Sequence, residues 1–200
     1  MKNGGFFMFK GRNTTRMLVT MALLSAIEVV LARFIVPMPN PTMRFSIEAV
    51  PIIVAGYLYG PVGGAIVGLV GDAVGTLFSG YGYNPLFAVP PMLIGLCAGL
   101  MRPLLYRKVS FLRILATFLP AVVVGSVLWQ SYWLSFFYGT HSFVWFLGSR
   151  AVQFAITSVV NAAVIFGLFK SRVFDALHLW PPEGAQAAAQ KNNKQASVIS

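Results

Sequence analysis

Charged residues are scarce in this chain. Only 10% of its 200 residues are charged, whereas 57% are hydrophobic and the mean hydropathy is +0.74. A soluble domain carries about 25% charged residues, so this sequence has too little charge to cover a water-facing surface. The composition therefore excludes an ordinary soluble domain and predicts a polytopic membrane protein.

Cysteines, metal-ligand clusters and catalytic motifs are also lacking. The one cysteine, Cys97, lies within an apolar run and has no second cysteine with which to form an internal disulfide. No Cys/His cluster has the spacing of a metal site, and no Gly-rich loop ends in Gly-Lys-Ser/Thr. HExxH and GxSxG motifs are absent, and no motif places His141 or His178 beside a nucleophile. We therefore expect no metal, no cofactor and no enzymatic activity.

Acidic residues are few, with five Asp and Glu against fifteen Lys and Arg, which gives a net charge of +10. Such a charge could suggest nucleic acid, but the basic residues flank apolar segments and form no stripe of their own. They are better explained as topology signals that contact anionic lipid heads. We therefore expect the lipid bilayer as a partner and no nucleic acid.

Six apolar segments divide the chain into a basic lead (residues 1–14), a membrane domain (15–172) and a polar, mostly disordered tail (173–200). The first segment follows a basic lead without a small-residue cleavage site, which indicates a span and not a signal peptide. The predicted segments are Thr15–Val36, Phe45–Tyr59, Val62–Ser79, Leu86–Tyr106, Leu112–Phe137 and Phe143–Phe169.

The distribution of basic residues sets the orientation of these segments. Six spans place both termini on one side, and the basic connection Arg102–Arg113 falls on that side as well. Basic connections mark the cytoplasm. The sequence therefore predicts an all-α polytopic membrane protein with six transmembrane helices and both termini cytoplasmic, in a prokaryotic plasma membrane.

Three arginines break this charge rule. Twelve of the fifteen Lys and Arg residues fall in the tails and one short connection, but Arg33, Arg44 and Arg150 fall at the opposite ends of apolar segments. A cation inside or beside a membrane span is costly and usually functional. The three arginines therefore predict an outward-facing site for an anion.

A polar stripe runs along the sixth segment. Arg150, Gln153, Thr157 and Asn161 follow a spacing that places them near one face of a helix. The guanidinium of Arg150 can hold a carboxylate bidentately. Interhelical hydrogen bonding is the alternative, and it is favoured for Thr157 and Asn161.

Aromatic residues gather toward the outer end of the fifth segment, with Gln130 between Trp129 and Trp133. An aromatic belt at the membrane interface is the simplest explanation of this cluster. Trp129 lies deeper than a belt requires, and a flat heteroaromatic ligand could stack on such a ring.

Small residues recur at a spacing of four. In the first segment, Ala22 and Ala26 form a possible docking face for a partner helix, and helical geometry places Arg33 near the same face. Glycines at the same spacing predict close approach of helix backbones: Gly56/Gly60, Gly64/Gly68, Gly71/Gly75 and Gly95/Gly99.

The sequence from residue 44 to residue 72 resembles a known family. The segments RFSIEAVPI (44–52), AGYLYGPVGGA (55–65) and GLVGD (68–72) are similar to the substrate-binding (S) components of energy-coupling-factor (ECF) vitamin transporters, and most similar to the folate branch. The resemblance covers about residues 15–172. Ala22 and Ala26 also resemble the family's docking motif for the transmembrane coupling subunit.

The resemblance implies a six-helix bundle with an outward-facing pocket for a folate-like small molecule. It also implies partners, namely a transmembrane coupling subunit (EcfT-type) and two cytoplasmic ATPase subunits. In folate-type members an arginine near the end of helix one and another early in helix six bind the vitamin, and an outer loop adds polar contacts. With the candidates above, the expected substrate-binding residues are Arg33, Tyr83, Asn84, Trp129, Gln130, Trp133, Arg150 and Gln153.

Two other functions remain open. An S component for another anionic vitamin or precursor, such as pantothenate, shares the general pattern. A proton-coupled secondary carrier would use a carboxylate within a span, for which Asp72 is the candidate. An internal ion pair or hydrogen bond is the favoured role of Asp72.

Overall fold

A computed structural model describes residues 14–33, 36–37, 44–45, 47–78, 84–107, 109–138 and 143–171. The basic lead up to residue 13, the tail from residue 172 and the predicted site residue Tyr83 lie outside these ranges. The side chains of Arg33 and Arg44 are likewise not described.

The described residues are helical except for one short ladder. Strands β1 and β2 pair antiparallel, with Val36 opposite Phe45 and Pro37 opposite Arg44, in the first connection of the chain. The all-α prediction did not include these two short strands. The elements in chain order are α1 (Thr14–Arg33), β1 (Val36–Pro37), β2 (Arg44–Phe45), α2 (Ala49–Leu77), α3 (Pro85–Met101), α4 (Pro103–Arg107), α5 (Phe111–Ala121), a π-helix here called π1 (Val122–Trp129), α6 (Gln130–Tyr138) and α7 (Phe143–Lys170).

The chain reverses direction inside α2. Gly60 has φ 84° and ψ −174°, a backbone conformation that glycine adopts readily. A Cβ placed on Gly64 would lie 2.8 Å from the Cα of Gly56, whereas eight residues of straight helix span about 12 Å. The first arm (residues 49–59) and the second arm (61–77) therefore fold back on each other, at the boundary that Gly60-Pro61 predicted.

Glycines bring three helical segments into backbone contact beside this reversal. A Cβ on Gly56 would lie 2.7 Å from the carbonyl oxygen of Gly95, and one on Gly68 would lie 2.6 Å from that of Pro91. Gly64 and Gly95 face each other in the same way. The second arm of α2 thus runs antiparallel to α3 with no side chain between the two backbones, as the four-residue glycine spacing predicted.

The first arm of α2 forms the centre of the bundle. Residues 50–58 are all buried, and the hydroxyl of Tyr57 forms a hydrogen bond with that of Thr117 in α5. Outer helices are much less covered, since 17% of the apolar window of α1 is buried against 67% of that of α2. Apolar side chains therefore cover the outside of the bundle, which is the arrangement that a bilayer favours.

Within the part of the chain that the structure describes, four helical segments are long and apolar enough to cross a membrane. They are Thr14–Ala32, Ala49–Leu77, Phe111–Phe137 and Phe143–Lys170, and Pro85–Met101 is a shorter apolar helix. The fifth predicted segment is one continuous rod of α5, π1 and α6. Pro120 near the end of α5 has no N–H to donate, and the hydrogen-bond register changes to the π form two residues later.

We predict that Gly64→Ala destabilises the protein by about 1–3 kcal/mol, because the added methyl group would overpack the contact with Gly56 and Gly95. Thermal unfolding of the purified protein in detergent measures the effect. Gly167→Ala is the matched control, since a Cβ there meets nothing within 4 Å. Equal melting temperatures for the two variants would contradict the close packing described above.

Candidate functional site

The polar stripe of α7 faces the interior of the bundle. Arg150, Gln153, Thr157 and Asn161 are 8%, 7%, 9% and 2% exposed, although most of the helix surface is not covered. The four-residue pattern therefore identified the inner face of α7 correctly. A polar face of this length inside an apolar bundle needs hydrogen-bond partners from protein, water or ligand.

Arg150 lies near the first third of α7 with its guanidinium buried. Its Cζ is 5.9 Å from the centre of the Phe154 ring, one turn further along the helix. A ring face attracts a cation. The guanidinium can also hold an anion through charge-assisted hydrogen bonds.

The inner half of the stripe contains Thr157 and Asn161, whose hydrogen bonding differs. The hydroxyl of Thr157 donates to the carbonyl oxygen of Gln153 at 2.9 Å, so its hydrogen bond lies within α7. The side-chain oxygen of Asn161 is buried and accepts no hydrogen bond from any described residue. A buried acceptor of this kind favours an ordered water or a polar ligand group.

Trp133 lies at the centre of the aromatic cluster. Its ring stacks on Phe137 at a centroid distance of 5.9 Å and meets Tyr132 edge-on at 5.5 Å. Its indole Nε1 is buried and donates to no acceptor within the described ranges. Trp133 therefore combines a large aromatic surface with a hydrogen-bond donor that a ligand could accept.

Trp129 is tied to α3. Its Nε1 donates to the carbonyl oxygen of Leu86 at 2.9 Å, its ring meets Trp133 edge-on at 5.9 Å, and 37% of the side chain is exposed. Trp129 is therefore more exposed than expected from its predicted depth in the fifth segment. The indole of Trp129 joins the rod that contains it to α3, and Trp133 is the more enclosed of the two rings.

Asn84 caps α3. Its side-chain oxygen accepts a hydrogen bond from the backbone N–H of Leu86 at 3.1 Å, and Pro85 begins the helix. Because Trp129 donates to the carbonyl oxygen of the same Leu86, two predicted site residues form hydrogen bonds with the backbone of one residue. The capping bond uses only the oxygen of the Asn84 side-chain amide.

Gln130 follows π1 directly and is partly buried at the start of α6. Its backbone N–H bonds to the carbonyl of Gly125, five residues earlier, which is the π register. π-helical turns occur frequently at functional sites. The turn rotates Gln130 and Trp133 relative to an uninterrupted α-helix.

The other two predicted arginines lie on the elements around the first connection. Arg33 is the last residue of α1, and Arg44 pairs with Pro37 in the β-ladder. Strand β2 packs against α7. The backbone therefore brings Arg44 toward the helix that contains Arg150.

A buried carboxylate is the feature that the sequence analysis did not assign to the site. Glu28 of α1 is 4% exposed, and its carboxylate lies directly against the Cα of Gly71. Glu48 and Asp72 are the neighbouring acidic residues. One oxygen of Glu28 and one of Asp72 make no hydrogen bond to the described residues. The sequence feature that could have identified Glu28 is its position as an acidic residue within an otherwise apolar segment.

The remaining predictions concern the surface of α1 and metal binding. Ala22 and Ala26 are both exposed on α1, so that face is open to lipid or to a partner helix. Among the described residues, no group of three His, Cys, Asp or Glu could hold a metal ion.

Comparisons with known proteins identify the fold and the family. The family described as "ECF transporter, substrate-specific component" matches residues 16–169. The folate transporter FolT of Clostridium novyi (strain NT) is 27% identical over 154 residues, which cover 76% of this chain and 87% of that protein.

Two solved structures share the fold. The crystal structure of FolT bound with folic acid superimposes with a TM-score of 0.64 and 26% identity, over 78% of this chain and 91% of that one. The S component for biotin of an ECF-type ABC transporter gives a TM-score of 0.62 at 18% identity, over 81% and 95%. The family match covers nearly all of the described helices, from α1 to α7. The chain therefore belongs to the substrate-specific components of ECF transporters.

Proposed function

We propose that this protein is the high-affinity capture subunit of an ATP-driven ECF importer and that it binds folate from the extracellular side. Members of the family are transporter components that bind small molecules, not enzymes. The observation that carries the proposal is the guanidinium of Arg150, buried on the inner face of an apolar helix. Such a cation favours an anionic ligand.

We propose six transmembrane spans with both termini cytoplasmic, in the plasma membrane of a prokaryote. The reversal at Gly60 divides α2 into two spans, and α1, α3, the rod of α5, π1 and α6, and α7 supply four more. The first arm has too few residues to cross about 30 Å of hydrocarbon unaided. Its position in the centre of the bundle compensates, because residues 50–58 are buried by protein and do not meet lipid.

The chemistry of folate fits the residue types of the site. Folate has a glutamate tail that arginines can hold and a flat pterin that aromatic rings can stack on. The 27% identity to FolT and the likeness to its complex with folic acid support this ligand. In the proposed site, Arg33 and Arg150 hold carboxylates or the polar edge of the pterin, Trp129 and Trp133 stack, and polar contacts come from Tyr83, Asn84, Gln130 and Gln153.

The proposed mechanism is capture followed by docking. The ligand enters from outside, and the connections around residues 37–44 and 80–85 close over it. The subunit then docks through Ala22 and Ala26 to the transmembrane coupling subunit, and two cytoplasmic ATPases supply the energy that reorients it. The ligand is not chemically changed.

Another anionic vitamin, such as pantothenate, is the second candidate. The fold itself is shared with the S component for biotin, and a buried arginine would serve any carboxylate. The aromatic cluster around Trp133 favours folate, because pantothenate has no ring to stack. A proton-coupled carrier based on Asp72 is a third candidate, and it would need no ATPase.

We predict that Arg150→Ala weakens folic acid binding at least 30-fold, since truncating one partner of a buried charge pair costs about 2–5 kcal/mol. Isothermal titration calorimetry of the purified protein measures the change. Arg113→Ala is the matched control, because Arg113 lies at the other end of the bundle and its Nη1 donates to the carbonyl of Leu104. Wild-type affinity in Arg150→Ala would remove Arg150 from the site.

We predict that folic acid binds and that pantothenate and biotin do not, when each is titrated into the same preparation. Trp133→Leu should weaken folic acid binding about fivefold, because an aromatic contact contributes about 1 kcal/mol beyond the buried area, most of which leucine replaces. Phe143→Leu, at the exposed start of α7, is the control. Binding of pantothenate, unchanged by Trp133→Leu, would favour the second candidate.

We predict that replacing Ala22 and Ala26 together with leucine blocks ATP-dependent folate uptake in cells and leaves folic acid binding within twofold. Leucine side chains would hold a partner helix away from α1. The control pair, Ala155→Leu with Ala163→Leu, changes two exposed alanines of α7 in the same way. Normal uptake by the α1 variant would contradict docking at this face.

The carrier hypothesis has a separate test. Uptake without ATP by the isolated protein in liposomes would support proton-coupled transport through Asp72.

A further inference from the structure

A narrow apolar groove lies on the surface of the bundle between the second arm of α2 and α3. Its volume is about 330 Å³, in the range of cavities that bind small molecules. All of its lining residues are apolar, with Ala65, Ile66 and Leu69 on one wall and Met92, Leu96 and Leu100 on the other.

The glycine contacts explain why the groove exists. Gly64, Gly68 and Gly95 hold the two backbones together, so the larger side chains extend outward on either side of the contact line. Ala65 is too small to fill the space between them. In a bilayer the natural occupant of such an apolar channel is a hydrocarbon chain, because it restores the dispersion contacts that an empty groove lacks.

A cation lies beside one end of the groove. Pro61 and Leu100 form that end, and the guanidinium of Arg102 lies over the neighbouring Gly60, with its Nη1 3.3 Å from the position of a Cβ on that glycine. The acidic residues lie far from Arg102. Glu48 and Asp72 are each twelve residues from Gly60, or about 18 Å along a helix, and Glu28 lies against Gly71, next to Asp72. The charge of Arg102 therefore lies away from these carboxylates and next to the Pro61 end of the groove.

We propose that this groove binds an acyl chain of an anionic phospholipid, whose phosphate group is held by Arg102. Basic residues at the cytoplasmic ends of grooves between helices are a recurring way to bind anionic lipid head groups. The guanidinium matches the phosphate in charge and geometry, and the groove matches the chain in polarity. This site is separate from the vitamin pocket and does not depend on which vitamin is bound.

Native mass spectrometry of the full-length protein tests the proposal. The protein is released from detergent after incubation with equal amounts of dioleoyl phosphatidylglycerol and dioleoyl phosphatidylcholine. We expect the wild type to retain phosphatidylglycerol about fivefold over phosphatidylcholine, the ratio expected for one cationic side chain near the surface. Arg102→Gln should reduce this ratio to about one. Lys170→Gln, which removes a cation from the end of α7, should leave the ratio unchanged.

Two variants that fill the groove test the acyl chain. Ala65→Phe and Leu69→Trp should each reduce the retention of both lipids several-fold, and Leu69 is 39% exposed, so the larger ring fits without disturbing the core. Melting temperature and folic acid binding verify that each variant is folded. Equal retention of the two lipids by the wild type, or unchanged retention in the groove variants, would overturn the proposal. A groove variant that alters only oligomerisation or assembly with other membrane proteins would assign the groove to a protein partner instead.

Discussion

The structure depends on the contact between helix backbones at Gly56, Gly64 and Gly95. No hydrophobic effect draws helices together in lipid, so close packing must supply the attraction. Glycine has no side chain, so at this contact three helical segments touch through backbone atoms. The segments are the first arm of α2, the second arm of α2, and α3. The first arm is thereby enclosed on all sides, which lets a helix too short to cross a bilayer lie in the centre of a membrane protein.

The polar stripe of α7 lies on another side of the bundle. The rod of α5, π1 and α6 packs against α7, and the inner face of α7 carries Arg150 and Asn161. The π-helical turn and the bond from Trp129 to Leu86 position the aromatic cluster. The helices around the glycine contact are therefore tightly packed, whereas α7 and the rod carry Arg150, Asn161 and the aromatic cluster.

Residue patterns that repeat along a helix predicted the buried faces well. The hydrogen bonds of the β-ladder, of π1 and of the Asn84 cap could not be predicted from the sequence. The buried face of α7 and the break at Gly60-Pro61 were predicted, because the spacing of polar residues and a Gly-Pro pair can be recognised in the sequence itself. The β-ladder and the π-helix π1 were not predicted, since both depend on contacts with residues far away in the sequence. Asn84 shows the limit clearly, because an asparagine before a proline fits both a helix cap and a ligand contact, and only the structure shows the capping bond.

Helix α1 shows how one element can serve two partners. Ala22 and Ala26 are exposed, whereas Glu28, half a turn further, is buried against Gly71. The contact with Gly71 favours one rotation of α1 about its own axis, because turning Glu28 out of the bundle would expose its carboxyl group to lipid. In that rotation Ala22 and Ala26 face away from the bundle. The docking face proposed for α1 is therefore set by the contact between Glu28 and Gly71.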